Sequence, residues 1–199
     1  MFYKLLQFFL SPLIRFFWVG NVNDIKNIPF NGSAIVAANH NSYLDFFILS
    51  SILKRRIYFL AGEVFFKSKL WKPLMLLTGQ IKVDRYGGDK KLVYAQVEKV
   101  LINNSLLGIF PEGTRSRNGK LQKGYNGAVK FAYQYKVPII PVGIIGTFDA
   151  WPPNRKFPKL IKSKVNIGCP FRINSNDFDS ETSKLMDKIA LLSDKVYEE

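Results

Sequence analysis

The sequence predicts a single α/β domain built on a mixed, mostly parallel sheet with helices flanking it. Three observations support this fold class. A chain of 199 residues can form one hydrophobic core and is short for two. Beyond Gly20, short β-rich runs alternate with longer helical stretches, as in strands joined by helical crossovers. Hydrophobic residues make up 47% of the chain and no low-complexity linker divides it, which disfavours disorder and a second domain.

The first eighteen residues, MFYKLLQFFLSPLIRFFW, form an aromatic-rich segment ahead of this domain. A membrane-spanning helix needs roughly 20 mainly apolar residues, and Lys4, Gln7, Pro12 and Arg15 interrupt this segment. No small-residue cleavage site follows, which disfavours a cleaved signal peptide. The pattern predicts an amphipathic helix in a membrane interface, kinked or restarted at the proline. A helix docked on the protein's own core is the alternative. The predicted division is a membrane-interface amphipathic segment at 1–20 and a single folded domain at 21–199.

The remaining elements follow from local patterns, in which apolar β-rich runs predict strands and amphipathic stretches predict helices. The run SAIVAA reads as a buried strand, and VPIIPVGI reads as another with prolines at its rims. Strands are predicted at 33–38, 56–60, 80–83, 106–110, 137–144 and 164–167. Helices are predicted at 43–54, 64–77 with an interruption near Pro73, 90–103, 127–135 and 180–197. Chemistry in such folds gathers on loops at the carboxyl ends of strands, which points to the loops after Ala38 and Phe110.

The charge balance predicts an anionic partner. Twenty-nine Lys and Arg residues against 15 Asp and Glu give a net charge of +14. Nucleic acid is disfavoured because the cations are scattered and no nucleic-acid motif is present. An anionic membrane, a phosphorylated metabolite or an acidic carrier protein fits better.

The single cysteine, Cys169, excludes an internal disulfide and favours a reducing compartment. We expect it to be a small buried apolar residue. One Cys and one His cannot build a zinc or iron–sulfur site, which needs about four ligands, and no clustered carboxylates predict a magnesium site.

The loop after the first predicted strand carries the only histidine, within Asn39-His40-Asn41-Ser42-Tyr43-Leu44-Asp45. On a regular helix His40 and Asp45 would lie about 140° apart, so they meet only if the loop turns. A carboxylate on one ring nitrogen would fix the tautomer and strengthen the other nitrogen as a base. Such a base contributes about 10²–10⁴ in rate. The alternative is that Ser42 or Asp45 caps the helix. No G-x-S-x-G elbow is present, so His40 is predicted to activate a substrate hydroxyl directly.

The loop after the strand at 106–110 is predicted to bind an anion. Gly113 allows a tight turn that exposes backbone N–H groups. Hydroxyl and guanidinium donors follow it at Thr114, Arg115, Ser116 and Arg117. A solvated basic turn is the alternative.

Two further features accompany this loop. Glu112 stands among the cations, where a carboxylate could orient an arginine or bond a substrate hydroxyl. Lys82 and Arg85 form a third basic point after another predicted strand, although Asp84 could simply pair with Arg85 at the surface.

Taken together, these motifs resemble the glycerolipid acyltransferase family of the 1-acyl-sn-glycerol-3-phosphate acyltransferase (PlsC) type. The resemblance covers residues 28–173 and rests on NHNSYLD, GQIKVDR, FPEGTRS and VPIIPVGI, in the family's order. One departure is that Tyr125 and Asn126 precede Gly127, where many relatives carry basic residues.

The resemblance implies a role for each site residue. His40 would deprotonate the acceptor hydroxyl and Asp45 would orient His40. Arg85 and the loop from Glu112 through Gly113, Thr114 and Arg115 to Ser116 would bind the glycerol-phosphate part, with Arg115 as the main phosphate ligand. No metal or cofactor is implied, since acyl-CoA or acyl-carrier protein serves as co-substrate.

The implied function is acylation of 1-acylglycerol 3-phosphate to phosphatidic acid in phospholipid biosynthesis. Glycerol 3-phosphate or another lysolipid is an alternative acceptor, and a thioester or ester hydrolase is a more distant alternative. The expected location is the cytoplasmic face of a membrane, as a peripheral or monotopic protein, with the lysophospholipid, the acyl donor and the anionic surface as partners.

Overall fold

The computed structural model describes residues 2–84 and 90–197. Its strands are β1 (Val19–Asn23), β2 (Ala34–Ala38), β3 (Ile57–Gly62), β4 (Ile81–Val83), β5 (Leu106–Ile109), β6 (Ile139–Ile145) and β7 (Ser163–Ile167). Its helices are α1 (Phe2–Trp18), α2 (Tyr43–Ile52), α3 (Glu63–Lys67), α4 (Lys72–Thr78), α5 (Lys90–Ile102), α6 (Gly127–Tyr135), α7 (Thr147–Ala150) and α8 (Phe178–Leu192). A short 3-10 helix spans Ile25–Asn27.

The strands form one seven-stranded sheet in the order β1-β7-β6-β2-β5-β3-β4. Every neighbouring pair is parallel except β6 and β7. The predicted fold class, a mixed and mostly parallel sheet flanked by helices, is confirmed. The strand order places β2 in the middle, between β6 and β5, which brings its carboxyl end beside theirs.

The sheet is buried on both faces, which explains why its central strands are continuous apolar runs. In β2 the side chains of Ile35 and Ala37 join one core cluster, with α5, α6 and α8. The alternate side chains, Ala34, Val36 and Ala38, join the other cluster, with α2. All five residues of this strand are buried.

Helix α1 packs on the domain and also exposes an apolar surface. Tyr3 is buried, and the Gln7 side-chain amide donates to the carbonyls of Ser50 (2.9 Å) and Leu53 (2.6 Å) at the end of α2. The opposite side exposes large apolar residues: Leu5, Phe8, Phe9, Leu13 and Phe16. The helix therefore has features of both predicted arrangements. Across residues 2–84 and 90–197, no helix combines the length and the hydropathy required to span a bilayer.

Several local predictions need correction. Of the two effects predicted for Pro12, the restart is wrong, because helix α1 is one continuous element; Phe8 and Pro12 are both exposed, so the backbone bond that proline cannot make lies at the surface. Cys169 is exposed, because it lies in the turn after β7 rather than within a strand.

Further differences concern the end of the last helix and two elements that the sequence did not predict. The last helix ends at Leu192, not at residue 197, because Asp194 adopts a left-handed conformation (φ 52°). Strand β1 and helix α7 were not predicted. Strand β1 pairs only with β7, at the edge of the sheet, and its burial follows no clean alternation.

Candidate active site

The two loops singled out in the sequence meet at one edge of the sheet. Strands β2 and β5 are parallel neighbours, so the loops that follow Ala38 and Ile109 leave the sheet side by side. The backbone N–H of Ser116 donates to the His40 carbonyl at 2.8 Å, which joins the loops directly.

The imidazole of His40 is held by Asp45. Its Nδ1 lies 2.9 Å from Asp45 Oδ2, and the carboxylate is fully buried. The same oxygen accepts the backbone N–H groups of Asn41 (2.7 Å) and Ser42 (2.8 Å). Three donors on one carboxylate oxygen fix the loop and leave His40 Nε2 as the ring nitrogen opposite the carboxylate.

The turn that brings this pair together is the start of α2. Ser42 is the N-cap residue, and its hydroxyl accepts the N–H of Leu44 at 3.1 Å. Asp45, at the third helical position, returns a bond to the Ser42 N–H and completes a capping box. Contact with His40 and helix capping, treated as alternatives from the sequence, therefore occur together in the same side chain.

The histidine loop is also fastened to β6. The Asn39 side chain donates to the Ile144 carbonyl at 2.9 Å and accepts the Ile144 N–H at 2.7 Å. The Ser42 hydroxyl donates to the Trp151 carbonyl at 2.6 Å, just beyond α7. The two Asn39 bonds continue the pairing of β2 with β6 past the last residue of β2, and together with the Ser42 bond they fix the backbone on both sides of His40.

The buried side chain of Glu112, in the loop after β5, binds the backbone of the loop that carries His40. One of its carboxylate oxygens accepts the His40 N–H at 2.5 Å and the other accepts the Gln122 N–H at 2.8 Å. Only 2% of the residue is exposed. Burial raises the pKa of the Glu112 carboxyl to about 7, against the opposing effects of the two N–H donors and of Lys195. The carboxylate thus contacts backbone groups, a different arrangement from the arginine-orienting one considered from the sequence.

The histidine ring faces a large cavity. It stacks on Phe110, with ring centroids 3.9 Å apart and an interplanar angle of 10°. The cavity has a volume of about 960 Å³, and its walls include polar loop residues at one end and an apolar, aromatic wall at the other. The apolar wall is contributed mainly by Phe46, Phe47, Phe59, Phe65, Trp71 and Met75.

The predicted anion loop lines the polar end. Gly113 has φ +66°, a conformation that favours glycine and lets the loop turn tightly. Thr114 is exposed beside it. The guanidinium carbon of Arg115 lies 3.7 Å from the centroid of the Tyr43 ring. Arg115 is half-buried and lines the cavity, and its Nη1 has no hydrogen-bond partner among residues 2–84 and 90–197, so the protein does not use all of its hydrogen-bond donors.

The other predicted site residues are distributed differently. Ser116 is fully buried; its N–H contacts His40, and its hydroxyl bonds the Asn118 side chain at 3.1 Å. Its contacts support the loop. Arg117 is exposed at the rim of the cavity. Arg85 lies outside the described residues. No three His, Cys, Asp or Glu side chains gather as a metal site would require in the described ranges 2–84 and 90–197.

Three contributors were missed by sequence reasoning. Asn39 clamps the histidine loop, Tyr43 stacks on Arg115, and Trp71 stacks on Tyr43 at 5.2 Å. Asn39 had a usable signal, an amide directly after a buried strand. The aromatic contacts join residues 28 and 72 positions apart in the chain, and no local pattern reveals them.

Comparisons with known proteins place the chain in a family. A sequence model of the family described as Acyltransferase matches residues 20–145. The 1-acyl-sn-glycerol-3-phosphate acyltransferase of Cocos nucifera is 30% identical over 168 residues, covering 82% of this chain and 54% of that protein. The Bacillus subtilis protein of the same name is 27% identical over 164 residues, covering 82% of this chain and 78% of its own. The chain spans about half the length of several curated relatives that it matches.

The likeness extends to a solved structure. The crystal structure of the 1-acyl-sn-glycerophosphate (LPA) acyltransferase PlsC from Thermotoga maritima superposes with a TM-score of 0.78 at 23% identity. The superposition covers 98% of this chain and 81% of that chain. The two chains therefore share their fold.

Proposed function

The chain belongs to the acyltransferase family, and from this premise we propose that it transfers a fatty acyl group from an acyl thioester to the free hydroxyl of 1-acylglycerol 3-phosphate. The product is phosphatidic acid. One observation carries the proposal: the Asp45-bound imidazole of His40 and the half-buried side chain of Arg115 line the same cavity. A base and an anion receptor on one wall match the two polar groups of a phosphorylated alcohol.

The reaction follows from the position of the histidine. The acceptor O–H loses its proton to His40 Nε2 while its oxygen forms a bond to the thioester carbonyl carbon. The tetrahedral intermediate collapses with cleavage of the carbon–sulfur bond, and the proton held by His40 passes to the departing thiolate. The imidazolium formed in the first step is stabilised by Asp45, 2.9 Å from Nδ1.

The two ends of the cavity bind different parts of the substrate. Arg115 and the backbone around Gly113 bind the phosphate, and the aromatic wall from Phe46 to Met75 accommodates acyl chain. Gln7 and Tyr3 hold α1 on the domain, and its exposed Phe8 and Phe9 side chains enter the membrane interface. The acceptor is itself a lipid, so this attachment keeps the enzyme where its substrate is.

The test is a direct assay in mild detergent. Lysophosphatidic acid is supplied with labelled acyl-CoA in one arm and acyl-carrier protein in the other, and glycerol 3-phosphate replaces the acceptor in a parallel arm. Phosphatidic acid is expected from lysophosphatidic acid and should be absent with His40→Ala, whose folding is checked by thermal unfolding. Full activity of His40→Ala would contradict the mechanism. A hydrolase would instead release free fatty acid from the thioester when no acceptor is present, and would form no acylated lipid when lysophosphatidic acid is added.

A further inference from the structure

The segment from Glu63 to Thr78, containing α3 and α4, is apolar on two opposite sides. Its outer side exposes four aliphatic residues: Val64 (69% exposed), Leu70 (79%), Leu76 (59%) and Leu77 (50%). Its inner side contributes Phe65, Trp71 and Met75 to the wall of the cavity. Contact between these aliphatic side chains and water is unfavourable, so an apolar phase that covers the outer side would stabilise the segment.

The charged residues around this outer side indicate which kind of apolar partner it binds. Lys67, Lys69 and Lys72 are exposed among the aliphatic residues. The segment has a single acid, Glu63, and that carboxylate is paired with Lys67 and Lys82, each at 2.7 Å. An apolar patch rimmed by cations matches an anionic lipid surface, which offers negative headgroups beside an apolar interior.

The segment is also rigidly joined to α1. Arg56 Nη2 donates to the carbonyl of Thr78, the last residue of α4, at 2.9 Å. The guanidinium of Arg56 lies 5.2 Å from the ring centroid of Tyr3 at the start of α1 and 4.4 Å from that of Tyr58. The half-buried Arg56 side chain thus connects the α3–α4 segment to the helix with the exposed phenylalanines.

We propose that the α3–α4 segment is a second membrane-docking surface, which rests on an anionic bilayer and passes lipid chains from it into the cavity beside Trp71. This inference rests on the proposed function, since it takes the cavity to hold a lipid. Its basis is the continuity between the exposed leucines, the cationic rim and the aromatic wall within one short stretch of chain. A lipid that moves along this route keeps its acyl chain in apolar surroundings from bilayer to active site.

The test compares equally exposed leucines on two parts of the molecule. Leu70→Ser and the double variant Leu70→Ser, Leu76→Ser remove aliphatic groups from the proposed surface. Leu191→Ser, at a residue 82% exposed in α8, is the matched control. Binding is measured by co-sedimentation with vesicles of phosphatidylcholine with and without phosphatidylglycerol. Leu70→Ser should weaken binding by about tenfold, the loss expected when a leucine no longer enters the apolar layer. Leu191→Ser should bind as the unmodified protein does.

A charge variant tests the role of the lysines, and an activity measurement tests whether the surface delivers lipid to the active site. Lys69→Glu with Lys72→Glu should abolish the preference for vesicles that contain phosphatidylglycerol. The leucine double variant should lose activity on long-chain lysophosphatidic acid in vesicles and keep it on a short-chain, water-soluble acceptor. No activity on either acceptor in the unmodified protein would contradict the proposed function rather than the docking surface.

The docking proposal is overturned if the double variant binds vesicles as tightly as the unmodified protein, or if Leu191→Ser weakens binding equally. It is also overturned if the double variant changes only the oligomeric state in gel filtration, because the patch would then contact a second copy of the chain.

Discussion

The guanidinium carbon of Arg115 lies over the ring of Tyr43, 3.7 Å from its centroid, and this contact joins the anion loop to the first turn of the helix that carries Asp45. Tyr43 is itself packed between Trp71 (5.2 Å, stacked) and Trp151 (5.3 Å, tilted). The proposed base, His40, and the proposed phosphate ligand, Arg115, therefore both contact the first turn of the same helix. We infer that Tyr43 acts as a positioning residue for Arg115.

The first prediction follows from this stack. Replacing the ring in Tyr43→Leu should raise the KM for the phosphorylated acceptor by roughly 3- to 30-fold, the range expected for a cation–π contact, with a smaller effect on kcat. Tyr43→Phe keeps the ring and should restore the KM. Steady-state kinetics with both variants check this, and an equal rise in Tyr43→Leu and Tyr43→Phe would argue for the hydroxyl instead.

The second prediction separates the two arginines of the anion loop. Arg115 is half-buried with Nη1 unpartnered in the described part of the chain, whereas Arg117 is exposed at the rim. Arg115→Ala should raise the KM for the acceptor by about tenfold or more, as loss of a charge-assisted bond implies, and should leave the KM for the acyl donor nearly unchanged. Arg117→Ala should have a clearly smaller effect. Equal effects of Arg115→Ala on both substrates would contradict its assignment to the phosphate.

The third prediction concerns the carboxylate behind the histidine. In Asp45→Asn the oxygen that faces His40 Nδ1 loses its charge, so the imidazolium is no longer stabilised and kcat should fall by about 10²–10⁴. The comparison is Asp187→Asn, an exposed aspartate on α8, which should retain activity. Circular dichroism of both variants tests whether the helix cap survives. A well-folded Asp45→Asn protein with normal kcat would remove Asp45 from the mechanism.

Local patterns were sufficient to predict much of the site. The spacing of His40 and Asp45 was ambiguous on an ideal helix, and the prediction that they meet depended on a turn between them. The turn exists because Ser42 caps α2 and Asp45 completes the capping box, a short-range motif readable from four consecutive residues. Similarly, the glycine of the anion loop has the positive φ that its position required.

What escaped prediction depends on contacts between distant parts of the chain. Glu112 and His40 are 72 residues apart, and their bond exists because β2 and β5 are neighbours in the sheet. Without the strand order, Glu112 had no visible backbone partners, so its carboxylate was assigned to substrate or arginine. The stack of Tyr43 on Trp71 likewise depends on how the α3–α4 segment folds back over α2.

The fourth prediction is a pH dependence of stability due to Glu112. Its carboxyl has a pKa of about 7 in the folded chain against an ordinary value of 4.5, because burial disfavours the charged form. The folded state therefore binds this proton more tightly than the unfolded state. The associated stabilisation is fully present below about pH 4.5 and is lost as the pH rises through about 7, a change of about 3 kcal/mol at most.

Thermal unfolding of the unmodified protein and Glu112→Gln measures this contribution. Between about pH 5 and about pH 8, the unmodified protein should lose stability relative to Glu112→Gln, which cannot ionise. Glu98→Gln, at an exposed glutamate of α5, should run parallel to the unmodified protein. If the stability of Glu112→Gln changes with pH in the same way as that of the unmodified protein, the buried carboxyl does not titrate in this range.

The last prediction tests the packing of α8 on the sheet. A Cβ on Gly143 in β6 would lie 2.1 Å from the backbone carbon of Leu192 and 2.2 Å from its oxygen, so the end of α8 would have to move. Gly143→Ala should destabilise the fold by about 1–3 kcal/mol, as overpacking of a core does, and lower Tm by about 2–4 °C for each kcal/mol. Gly127→Ala is the matched control, because a Cβ there meets nothing within 4 Å and alanine favours the helix that Gly127 begins. Calorimetry should find Gly127→Ala at least as stable as the unmodified protein. If both variants lose a similar amount of stability, the close approach of Leu192 is not the reason that glycine is required at position 143.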